Sequence, residues 1–97
     1  MGSYRIHRDY LYSELYDEGM LTNTKDMSCF YLNPVANRML HQILNTTDDE
    51  VAVANLAEQI EAPVDVLRKS YLSFRNDLLK QGFIEEVESQ NETVSDD

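Results

Sequence analysis

Asn33-Pro34 constrains this chain more than any other pair of residues. Proline has no N–H to give to a β ladder, and its fixed φ already suits the first turn of a helix. Asn33 before it is a good N-cap, because its side-chain oxygen can accept a free first-turn amide. The stretch Cys29 to Leu44, CFYLNPVANRMLHQIL, therefore predicts a short strand ending at Leu32 and a helix from Pro34 to about Leu44. Ala36, Met39, Leu40 and Ile43 recur at helical spacing and predict its buried face. Strands lie before this junction and helices after it.

Upstream, Tyr10 to Tyr16 (YLYSELY) is rich in β-formers. The alternation puts Tyr10, Tyr12 and Tyr16 on one face and Leu11 and Leu15 on the other. The tyrosines are expected on the outside. Asp17-Glu18-Gly19 is a turn signal, with Gly19 free to take a positive φ. Met20 to Thr24 and Ser28 to Leu32 follow as a second and third strand, predicting an antiparallel meander. Residues 1–9 read as a polar lead-in.

Downstream, Asn45 to Glu50 is a loop rich in capping residues. Val53 to Glu61 predicts a second helix, ended by Ala62-Pro63. Val64 to Gln81 predicts a third, closed by Gly82 as a left-handed cap. Leu67, Tyr71, Phe74 and Leu78 form its apolar stripe, and Arg68, Leu72, Arg75 and Leu79 form a mixed stripe beside it. Residues 10–85 are thus read as one domain, followed by an acidic, disordered tail at 86–97. The fold class is α+β, with a three-stranded antiparallel sheet followed by three helices.

Composition limits function. The net charge is −10, and six of the eighteen acids lie in Glu85–Asp97. The remaining twelve acids face eight bases, a balance that argues against affinity drawn from a phosphate backbone. Cys29 is the only cysteine, which excludes an internal disulfide; it is expected to be buried or half-buried and unreactive. His7 and His41 lack ligand spacing, so no metal site is expected, and His41 should lie on the outer side of the first helix. No Gly-rich phosphate loop, nucleophile–base pair or paired catalytic carboxylates occur, so neither catalysis nor a cofactor is expected. No run approaches the ~20 apolar residues of a membrane span, and a soluble cytoplasmic protein is the expectation.

Tyr31-Leu32-Asn33-Pro34, Leu56-Ala57, and Phe74 with Leu78-Leu79-Lys80-Gln81-Gly82-Phe83-Ile84 resemble, in order and spacing, the PqqD-like family, also called RiPP recognition elements. The resemblance covers about Tyr10 to Glu85. It departs at Ser70, where members often carry an acid four positions before the helix-three phenylalanine. It implies a winged helix-turn-helix that is not an enzyme. Such domains bind the leader segment of a ribosomally made precursor peptide and deliver it to a modifying enzyme, often a radical SAM enzyme. The leader adds as a strand to the third strand, against the third helix. Carried over, the edge is Ser28, Cys29, Phe30, Tyr31 and Leu32. The mixed stripe Arg68, Leu72, Arg75 and Leu79 is our candidate groove wall, with the arginines able to grip leader carboxylates. An unoccupied edge could also pair with a second copy of the chain. The rival reading is a winged-helix DNA-binding regulator using Arg68, Lys69, Arg75 and Lys80, disfavoured by the acidic turn at Glu85 where a wing hairpin would follow. A third is a structural adaptor that docks on an enzyme without touching a peptide.

Overall fold

A computed structural model of the chain describes residues 3–87. In chain order it contains β1 (Ser3–Ile6), β2 (Tyr10–Leu15), β3 (Glu18–Asn23), β4 (Cys29–Leu32), α1 (Pro34–Asn45), α2 (Asp49–Gln59), α3 (Val64–Gln81) and β5 (Ile84–Val87). Strands β2, β3 and β4 form an antiparallel meander in that order, and β1 pairs antiparallel with β5. The α+β architecture of a three-stranded sheet and three helices is as expected. The third strand of the sequence reading is β4, because the lead-in at 1–9 contains a strand of its own.

That extra pair joins the two ends of the described chain. Ile6 sits opposite Ile84, and the Arg5 guanidinium meets the Glu85 carboxylate at 2.7 Å. Four residues of SYRI are too short to reveal period-two alternation, and their partner lies some eighty positions away. The acidic turn at Glu85 is therefore a strand, and the boundary at 85 cuts through it. Of the expected acidic tail, 88–97 lies outside the described residues.

The junction forms as its chemistry requires. The Asn33 side chain accepts the Ala36 amide at 2.8 Å, with Pro34 at the first helical position. α2 starts four residues earlier than its apolar pattern: Asp48 caps it through the Glu50 amide, and Asp49 and Glu50 occupy the first turn, where carboxylates complement the helix dipole. Gly82 ends α3 at φ 83°, and the Phe83 amide returns to the Leu78 carbonyl at 2.9 Å. The core is Leu21 and Leu32 from the sheet, Met39, Leu40 and Ile43 from α1, Ala52, Val53 and Leu56 from α2, Leu67, Tyr71 and Leu78 from α3, and Ile84.

The sheet faces the opposite way from the expectation. Tyr12, Leu21 and Phe30 stand across from one another on the inner side, as do Glu14, Gly19 and Leu32. Tyr10 packs on Phe83, and Tyr12 hydrogen-bonds Asn37 and reaches His41 at 3.2 Å. Leu11 and Leu15 point outward, 63% and 70% exposed. The cause is a polar cluster under the hairpin. Asn37 is buried, and its amide donates to Glu14 Oε2 at 2.7 Å and to the Asp17 carbonyl at 3.1 Å. His41 lies inward too, 2.9 Å from the same Glu14 oxygen. Tyrosine hydroxyls can join this cluster and leucines cannot.

Gly19 serves the cluster rather than the turn. It lies within β3, and a Cβ there would come within 2.3 Å of Asn37 Oδ1. The turn itself is Tyr16-Asp17, with Tyr16 at φ 59°. That conformation is strained for a bulky side chain.

Two predictions follow from the hairpin. Tyr16 is 91% exposed, so its replacement removes little packing. Tyr16→Asn should stabilise the fold by about 1 kcal/mol and raise Tm by roughly 4–8 °C in thermal denaturation. The Glu14 carboxyl titrates below its ordinary range, held there by hydrogen bonds from His41 first and Asn37 second. Its stabilisation is therefore present above the ordinary carboxylate pKa and lost as pH falls through the depressed folded value. Glu14→Gln should flatten this part of the acid limb of a stability–pH profile, and an unchanged limb would contradict it.

Candidate functional site: the free edge of β4

Among the described residues β4 is an edge strand, since the sheet order leaves one side unpaired. Which groups it offers follows from register. The Asn23 amide donates to the Ser28 carbonyl at 2.8 Å, and the Thr24 amide donates on the other side to the Asp9 carbonyl at 2.8 Å. Antiparallel pairs alternate between hydrogen-bonded and open. Hence Phe30 and Leu32 turn their backbone groups to β3, opposite Leu21 and Gly19, while Cys29 and Tyr31 turn theirs to the free edge.

The inner side of this edge is incompletely covered. Leu32 is buried, whereas Phe30, also pointing inward, remains 38% exposed. Its ring stacks on Phe83 with centroids 4.6 Å apart, and Phe83 also packs on Tyr10 at 4.8 Å. Cys29 is exposed rather than buried, because it faces outward across from Thr22. Ser28 precedes the strand and is tied to Asp26 through its amide and hydroxyl at 2.9 and 2.7 Å, which lowers the Asp26 pKa.

The structure does not gather all nine expected residues. Arg68 and Arg75 lie on the flank of α3 that meets α2. Arg68 bonds Glu50 at 2.7 Å, and Arg75 bonds Asp49 while lying over the rings of Tyr4 and Tyr71. Burial, with the Asp49 charge next, pushes the Tyr71 phenol up to about 12. Leu72, between the arginines, and Leu79, one turn beyond Arg75, are half-buried against the core. These guanidinium groups are already engaged by carboxylates of the same chain. On the opposite side of α3, Lys69, Ser70, Ser73, Phe74 and Asp77 line an open depression. The sequence signal for this flank was the short polar pair Ser70 and Ser73 beside a half-buried Phe74. Among the described residues no cluster of His, Cys, Asp and Glu suits a metal ion, and no helix is long and apolar enough to cross a membrane.

The two ion pairs should differ in value. Arg75 is largely enclosed and stacks on two rings, so Arg75→Ala should cost about 2–3 kcal/mol in chemical denaturation. Arg68 is more open to solvent, and Arg68→Ala should cost under about 1 kcal/mol.

Comparison with known proteins agrees with the fold. The solved structure of TbiB1 in complex with the TbiA(beta) leader peptide superposes with a TM-score of 0.72 at 16% identity, covering 84% of this chain and 94% of that one. No curated protein matches. The family described as coenzyme PQQ synthesis protein D matches residues 18–84, from the start of β3 to the first residue of β5. On that match, over most of its length, the chain belongs to the PqqD family.

Proposed function

We propose that this chain captures the leader segment of a ribosomally made precursor peptide by strand addition to β4, and presents it to a separate modifying enzyme of the radical SAM type. The observation that carries this reading is the unfinished edge. Cys29 and Tyr31 offer unpaired backbone groups, and the inward-facing Phe30 beside them is only partly covered. Family membership and the leader-bound structural neighbour support the same reading.

An added strand would satisfy the backbone groups and cover the Phe30–Phe83 pair at once. Backbone bonding confers affinity that is largely blind to sequence, and side-chain pockets confer selectivity. The leader's inner side chains would rest on Phe30 and Phe83. Its other wall would be the open flank of α3, with Phe74 as the apolar contact and Lys69 and Asp77 as charges of opposite sign. This moves the wall away from the mixed stripe, whose arginines are ion-paired to α2. The same pairs weaken the DNA-binding alternative, since two of its four basic residues are already neutralised. The β2 edge is a poorer acceptor site, because its inner side carries the polar Tyr12–Glu14–His41 cluster.

Proline substitution tests the edge. Cys29→Pro and Tyr31→Pro each remove an edge-facing N–H without touching the β3 ladder, a position an edge strand tolerates. Each should weaken binding of the leader half of the precursor encoded beside this gene by about tenfold or more. Cys29→Ala and Tyr31→Ala should bind the leader far better than the prolines. Proline variants that keep their circular dichroism and wild-type affinity would reject strand addition at β4.

A further inference from the structure

The outward face of the meander is not used by strand addition, and it is apolar. Leu11, Leu15, Met20 and Tyr31 are all exposed on it, and Ser13, Leu15, Met20 and Tyr31 border a shallow depression beside Glu18. The other outward positions are Thr22 and Cys29. Among the described residues no Lys or Arg stands on this face. Its one acid, Glu18, accepts the Tyr31 hydroxyl, which raises the phenol's pKa. Surface leucines scattered singly need no explanation, but a contiguous set on one sheet face marks an interaction site.

Two strands of six residues and one of four, about 4.8 Å apart, present at most about 300 Å². A stable self-association needs roughly 800 Å² from each copy, and two copies face to face would each bring an uncompensated Glu18 into the seam, in a chain of net charge −10. The face is, however, continuous with the edge where the leader adds, because Tyr31 belongs to both. A leader strand would extend the same surface by one more row of outward side chains.

We propose that this face is the docking surface for the protein that modifies the captured peptide, and that this partner presents an apolar patch with a Lys or Arg opposite Glu18. The inference rests on the leader-binding reading, and it adds a surface that reading does not require. The partner covers the outward face and the leader strand together, so its contact area is larger when the leader is in place. Docking is therefore tighter to the leader-bound chain than to the free one, and it weakens with salt to the extent that the Glu18 contact is solvent-exposed.

The test uses the full chain, the leader peptide and the modifying enzyme encoded with the precursor. Leu11→Lys with Leu15→Lys places cations on two highly exposed positions outside the peptide groove. Titration calorimetry should give leader affinity within about twofold of wild type, and enzyme affinity, measured with leader present, lower by about tenfold or more. Unchanged enzyme affinity would overturn the proposal. So would a wild-type chain that sediments as a dimer which the double substitution dissociates, because the occupant would then be a second copy. Enzyme binding that depends on Leu11 and Leu15 in a chain that binds no leader would support the surface and reject the leader reading instead.

Discussion

The register of the three-stranded meander is the constraint on which the rest depends. Side chains alternate faces along a strand, so a slip of one residue would exchange the two faces completely. Leu21 and Leu32 pin the sheet to the core from above α1, and Asn37 pins it from the hairpin side, lodged beneath Gly19 where no Cβ fits. With the register fixed, the direction in which each group of β4 faces is fixed with it. Phe30 turns inward, Tyr31 turns outward, and the amides of Cys29 and Tyr31 face the open edge.

The helices complete the edge by what they leave uncovered. α2 occupies one flank of α3 through Arg75–Asp49 and Arg68–Glu50, and β1 joins that side through Tyr4 beneath the Arg75 guanidinium. The opposite flank carries short serines and a half-covered Phe74. α3 thus has a structural side and an open side. Phe83, held at the end of α3 by the Gly82 cap, carries the apolar surface across to Phe30.

Much of this was legible in the sequence. The Asn33-Pro34 junction, the Gly82 cap, α1, α3 and the order of three strands before three helices follow from local chemistry that tertiary contacts do not override. The misread parts share one cause, which is dependence on distant partners. YLYSELY alternates cleanly, but which face is buried depends on a polar cluster with Asn37 and His41, more than twenty residues away. A buried asparagine inside a helix reads from sequence as surface. β1 is invisible until β5 is placed beside it. The mixed stripe of α3 was recognisable as unusual, but its arginines answer Asp49 and Glu50, which sit in what looked like a loop because capping acids mask the first turn of α2. That β4 lies at the edge of its sheet was readable from the strand order, and the ion pairs of Arg68 and Arg75 were not.

The most direct test of the account is amide hydrogen exchange of the chain with and without the leader half of its precursor. In the free protein Phe30 and Leu32 are already held by β3, and Cys29 and Tyr31 are open. Leader binding by strand addition should bring strong new protection to the Cys29 and Tyr31 amides, with Phe30 and Leu32 protected in both states. New protection on the β2 edge, or none on β4 at saturating peptide, would contradict the central claim that the unfinished edge of β4 is the binding site.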